Sequence, residues 1–213
     1  VPPLIGILLE DIVDKIEICN LAIGWVGGNA IMSFDDDAVE AELCSQAYGP
    51  TRDWCLEQRD WTFAATRAVL GPLAAVPAFE YTAAFQLPTE LLVVRQVSDQ
   101  PDTMRQIDYT KEQRTLLANA AQLYVKYTIQ VTNENLFSPS FTYALAHKIA
   151  AVIANPLTQD KAMKKEMEAL AQSYIELGGS VDGTQTKVGR AYASKIVGAR
   201  TAGVRGAFGG GRW

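Results

Sequence analysis

Gln122-Leu123-Tyr124-Val125-Lys126-Tyr127-Thr128-Ile129-Gln130-Val131 alternates without a break. Leu123, Val125, Tyr127, Ile129 and Val131 point one way; Gln122, Tyr124, Lys126, Thr128 and Gln130 point the other. Successive side chains of a strand leave opposite faces, so apolar residues at period two signal a half-buried antiparallel strand. An all-helical chain is thereby excluded. Residues 81–87 and 91–97 are short β-branched or aromatic runs either side of Pro88. Residues 114–118 form a weaker strand candidate, and residues 98–103, with Pro101, read as a turn. A β-rich region is expected over about residues 77–135.

On both sides of this region the period changes to that of a helix. Ile12, Ile16, Cys19 and Ile23 share one face of a helix over residues 12–23, which Gly24, Gly27 and Gly28 should end. Asp35, Asp36 and Asp37 are placed to cap a second helix with the stripe Val39, Leu43 and Ala47. Gly49-Pro50 should kink or break it, leaving a further helical piece over residues 51–59. After the strands, Ser138-Pro139 reads as N-cap and first helical residue of a largely buried helix stopped at Asn155-Pro156. Thr158 opens the last helix, with Met163, Met167, Leu170, Tyr174 and Leu177 as its apolar stripe and Gly178-Gly179 as its C-cap. The fold class expected is α+β and mainly helical, a helix bundle with an inserted antiparallel β-sheet region. Its helices fall at about residues 12–59 and 139–178.

Composition narrows the function. Of 213 residues 48% are apolar and 20% charged, enough for one folded domain and too apolar for a disordered chain. A single histidine excludes multi-histidine catalysis or metal binding, and His147 inside a buried helix reads as a packed, hydrogen-bonded residue. Cys19, Cys44 and Cys55 are odd in number and lack a C-x-x-C pair, so they read as small buried hydrophobes in a reducing cytosol. The start of the chain lacks the basic region of a signal peptide. The apolar stretch of residues 68–79 is interrupted by Gly71, Pro72 and Pro77 and falls short of the ~20 residues needed to cross a bilayer, so no membrane association is expected. Gly24 to Gly28 matches neither a P-loop nor a dinucleotide fingerprint. Trp54, Trp61 and Phe63 read as core or subunit-interface aromatics.

The net charge of −5 is uneven. Residues 1–178 carry −10, while residues 179–213 carry +5 with nine glycines. The body is expected to end at residue 178, and residues 179–213 form a Gly-rich basic arm. The arm's candidate partner-binding residues are Lys187, Arg190, Lys195, Arg200, Arg205, Arg212 and Trp213.

An ordered series of segments also carries a resemblance. Asn20-Leu21-Ala22-Ile23-Gly24, Ile31 and the Asp35–Asp37 acids come first. Arg52-Asp53, Leu56, Trp61-Thr62-Phe63-Ala64 and Phe85-Gln86-Leu87-Pro88 follow. Leu136-Phe137-Ser138-Pro139-Ser140-Phe141, Ala144-Leu145-Ala146, Ala150, Ala154 and Leu157-Thr158 complete it. In this order the chain resembles the tail tubular protein A family of tailed phages over about residues 15–178. The resemblance implies a head-to-tail adaptor, a structural virion protein of the neck and tail made in the host cytoplasm. It implies a homo-oligomeric, dodecameric ring between the portal protein and a downstream tail or nozzle protein, through which DNA passes. It implies no cofactor, no metal and no catalytic residues.

Two other classes compete. A particle-borne cell-wall hydrolase would need paired carboxylates, with Asp35–Asp37, Glu40 and Glu42 as candidates. A nucleic-acid-binding module would act through the basic tail with salt-sensitive, sequence-independent affinity.

Overall fold

A computed structural model describes residues 14–101 and 106–186, with side chains to residue 179. The fold is mixed α+β. Helix α1 is Lys15–Val26, α2 Val39–Gln58, α3 Pro139–Thr158 and α4 Lys161–Thr186. The strands are β1 Ala65–Leu70, β2 Ala83–Gln86, β3 Leu91–Ser98, β4 Tyr109–Glu112, β5 Thr115–Ala118 and β6 Leu123–Ile129. They form two antiparallel three-stranded sheets, β1-β6-β3 and β2-β5-β4. The candidate partner-binding residues from Lys187 to Trp213 named above lie outside the described residues, as does the expected helix start at Ile12.

There are two cores. Ile18, Ile23, Cys44, Leu56, Trp61, Phe141 and Ile149 belong to the helical core, which surrounds α3. Phe85, Leu116, Leu123, Val125 and Tyr127 belong to a smaller core between the sheets. Each large side chain so buried contributes roughly 1.5–3 kcal/mol. Strand β6 meets its pattern, with Leu123, Val125 and Tyr127 buried; Thr128, from the opposite face, is buried as well. It accepts a hydrogen bond from Arg95 Nε at 2.8 Å.

Several expectations at element ends are corrected. Asp14 caps α1, its Oδ1 accepting from the backbone N–H groups of Ile16 and Glu17 at 2.7 and 2.8 Å. Gly24 lies inside that helix, and Gly27 (φ 78°) ends it in the left-handed conformation that glycine adopts without strain. Asp36 does not cap α2: its Oδ2 closes a turn by accepting from Met32 N and Ser33 N, and the N-cap is Ala38. Helix α2 runs through Gly49-Pro50 and includes the piece expected to be separate. It buries Ala41, Cys44, Tyr48, Thr51 and Cys55, while Val39 is exposed. Helix α3 likewise passes Asn155-Pro156 and stops at Thr158, where Gln159 donates its backbone N–H to Asn155 O at 2.9 Å. Asp160, not Thr158, opens α4, its Oδ1 accepting from Ala162 N and Met163 N. The first strand, β1, lies ahead of the expected β-rich region.

The largest correction is at Gly178-Gly179. Helix α4 continues through both to Thr186, past the expected end of the body. These glycines are contact positions. A Cβ on Gly178 would lie 2.5 Å from the Trp61 ring, and one on Gly179 would meet the Arg59 guanidinium. The buried stripe is accordingly rotated, with Ala171, Ile175 and Gly178 inside and Leu177 half exposed.

Two irregularities in β3 tie the sheets to the helices. Its pairing with β6 skips Leu92 and Arg95, each an extra residue in the ladder. Leu92 packs against the helical core. Arg95 Nη2 donates to the carbonyls of Leu56, Glu57 and Arg59 at 3.1, 3.0 and 2.5 Å, which closes the end of α2. Arg59 in turn donates to Ile175 O and Glu176 O of α4.

Candidate interaction surfaces

The residues singled out for chemistry take up structural work. His147 is packed as expected, stacked on Trp25 (ring centroids 3.8 Å) and near Tyr174 (5.1 Å). Its Nδ1 faces the Tyr143 carbonyl at 2.7 Å; a carbonyl only accepts, so Nδ1 carries the hydrogen. Burial holds its pKa below the usual value. All three cysteines are buried and free. Burial pushes the Cys55 thiol up to about 12, and the neighbouring Cys44 thiol together with burial raises Cys19, so both stay protonated. Trp61 is fully buried and meets Phe141 edge-on at 5.1 Å, a core role as expected.

Of the acidic candidates, Asp36 closes its turn and two glutamates are bonded. Glu40 accepts from Asn29 N and Nδ2, which holds its carboxyl below the ordinary range, and Glu42 accepts from Gln46. None of Asp35, Asp36, Asp37, Glu40 and Glu42 lines either groove described below. Among the described residues, no group of three or more His, Cys, Asp or Glu stands together to hold a metal, and no helix is long and apolar enough to cross a membrane.

Three surface features remain. The first is a groove of about 600 Å³ between α1 and the start of α3. Glu17, Asn20 and Leu21 form one wall, at the i, i+3, i+4 spacing of a helix face; Phe137, Pro139, Thr142 and Tyr143 form the other. Asn20 is locked by reciprocal bonds with the backbone of Ile31, at 2.9 and 2.8 Å. Ser138 caps α3, its Oγ accepting from Phe141 N at 3.4 Å, and Phe137 packs against Phe63 and Phe141. The groove walls are therefore fixed. Leu21 and Tyr143 are about two-fifths exposed (41% and 43%), and the Glu17 carboxylate has no ion-pair partner among the described residues.

The second is the β1–β2 loop. Of residues 71–80, eight are apolar, counting prolines, yet Val76 is 71% and Phe79 79% exposed. Both ends are fixed. Leu73 N donates to Ala84 O at 2.7 Å; Tyr81 Oη is bonded to Thr110 Oγ1 and Thr82 N to Asn119 Oδ1, each at 2.9 Å. The third is a groove of about 480 Å³ on the sheet β1-β6-β3, lined by Arg67, Gln96, Gln100, Tyr124 and Lys126 among others. Lys126 pairs with Asp60, and Arg67 is exposed without an ion-pair partner among the described residues.

Sequence reasoning met the loop only as an interrupted membrane span and missed the groove. The loop's signal was its apolar density between prolines; the groove had none, because its walls lie more than a hundred residues apart in the chain. No family model matches the chain, and no curated protein matches it.

Proposed function

We propose that the chain is a structural subunit that assembles into a ring, a head-to-tail adaptor of a phage neck joining a portal protein to a tail or nozzle protein around the DNA channel. The observation that carries this reading is the presence on one protomer of two unlike apolar surfaces, a protruding loop and a fixed groove. A ring built head to tail needs two different complementary faces, whereas a symmetric dimer needs one self-complementary patch. Contiguous exposed apolar surface of this kind marks an interaction site. The order helices, strands, helices also agrees with the family resemblance. On this reading α1, α2 and α4 pack around α3 as a bundle with the sheets inserted, and the dodecamer is the state the resemblance implies. The Gly-rich basic segment, with Lys187, Arg190, Lys195, Arg200, Arg205, Arg212 and Trp213, acts as an arm toward the portal or a neighbouring subunit.

The test is the mass of the protein alone and mixed with portal protein. The expected result is a ring whose mass is a multiple of 23.2 kDa, bound to portal. A protein that stays monomeric in the presence of portal and does not bind it would refute the adaptor reading.

A further inference from the structure

We infer that α4 has two ends, with Gly178-Gly179 as a hinge between them. The helix runs to Thr186 in one state and stops on the Arg59 guanidinium in the other. The first observation is a donor in an unusual place. Arg59 Nη1 donates to the carbonyls of Ile175 and Glu176 at 3.4 and 3.3 Å. In a continuing helix those carbonyls already accept from the N–H groups of Gly179 and Ser180, four residues on. Where a helix stops, its last carbonyls need a donor from elsewhere, and a basic side chain is one way to supply it. Arg59 therefore stands where a cap would stand, inside the helix rather than at its end.

The second observation is that Gly179 lets the donor in. A Cβ there would collide with the guanidinium, so Arg59 reaches the two carbonyls only over a glycine. The third is a change of composition at the same boundary. Residues 161–177 are rich in Ala, Lys, Glu, Met and Leu, all good helix formers. Residues 179–186 read Gly-Ser-Val-Asp-Gly-Thr-Gln-Thr, and of these only Gln185 is one. The stretch past the doublet is less than two turns long, too short to hold a helix by itself. Packing marks the boundary too: Ala171, Ile175 and Gly178 are buried, and Gly179 is already half-buried. When residues 180–186 unwind, Ile175 O and Glu176 O keep their bonds from Arg59, so opening orphans neither. Gly179 can also adopt the left-handed conformation that ends helices. The joint sets the direction in which the chain leaves the body, and it holds whether or not the adaptor reading does.

The test is amide hydrogen exchange on the full-length protein, read by mass spectrometry with fragmentation to single residues. Protection should drop in one step, by about tenfold or more, between Leu177 and Val181. Arg59→Met removes the inner cap, on which only the stopped helix depends. It should raise the protection of residues 181–186 relative to residues 171–177 by about threefold or more. Arg59→Lys keeps a donor and should fall between Arg59→Met and wild type. Ser180→Pro removes the N–H that Glu176 O accepts from in the continuous helix and turns Gly179 away from helical geometry. It holds the protein in the stopped state and should leave the urea midpoint of unfolding unchanged. Uniform protection along α4 would overturn the hinge. Exchange past Gly179 that Arg59→Met leaves unaltered is ordinary fraying and would overturn it as well. So would protection lost throughout α4 in Arg59→Met, the mark of a side chain that only pins the helix to the body. A Ser180→Pro protein with a lowered midpoint would show that the extension is integral to the fold, and would equally end the proposal.

Discussion

Two glycines in helices show how one residue type serves opposite ends. Gly24 has open space where a Cβ would go, while at Gly178 the Cβ would fall 2.5 Å from the buried Trp61 ring. Gly24→Ala should stabilise by about 0.5–1 kcal/mol through helix propensity. Gly178→Ala should destabilise by about 1–3 kcal/mol, because overpacking against a rigid ring outweighs the same gain. Urea unfolding of both proteins reads the two signs. The doublet Gly178-Gly179 looked like a helix stop because its partners, Trp61 and Arg59, are more than a hundred positions away. Arg95 was equally opaque. It sits in an apolar run, and only the bulge in β3 turns it toward three carbonyls. Arg95→Met should cost about 1.5–3 kcal/mol, the loss expected for hydrogen bonds to a charged donor, measured by the same unfolding experiment.

At the scale of elements, the long periodic segments were legible and the short ones were not. Strand β6 and helix α3 follow their hydrophobic periods and Ser138-Pro139, while β3 was legible as a β-branched run although two bulges break its alternation. Strand β1 alternates only between half-buried and exposed residues, and β4 is a four-residue polar edge, so neither leaves a burial signature in sequence. Prolines misled in α2 and α3 because tertiary packing outweighs a local helix penalty. In α2 the proline ring leaves Gln46 O without its usual donor, yet the helix continues, held on its buried side by Cys44, Tyr48 and Thr51. Pro50→Ala restores that donor and should raise stability by about 1–3 kcal/mol, less the entropy that proline removes from the unfolded chain. A rise in the denaturation midpoint at unchanged slope would show it.

For the whole molecule, acid should act in two stages. Burial lowers the His147 pKa below 6.5, so in that window the unfolded chain binds a proton that the folded chain refuses. Stability is full above 6.5 and falls as the pH drops through the window. Glu168, held low chiefly by its hydrogen bond from Lys148, and Glu40, held low by Asn29, add their loss only below 4.5. His147→Phe should flatten the first stage and leave the second, as read from unfolding at a series of pH values. At this scale the sequence revealed the helix–strand–helix order and the charge split, while the groove and the posture of the loop required the folded chain. The guanidinium joints bear on how such a molecule would carry load. A push on the tip of the β1–β2 loop enters β1 and β2, crosses β6 to β3, and leaves through Arg95 into the end of α2. From there Arg59 hands it to α4, which runs on to Thr186. The molecule is thus braced as a strut, with polar rivets set across the seam between its two cores.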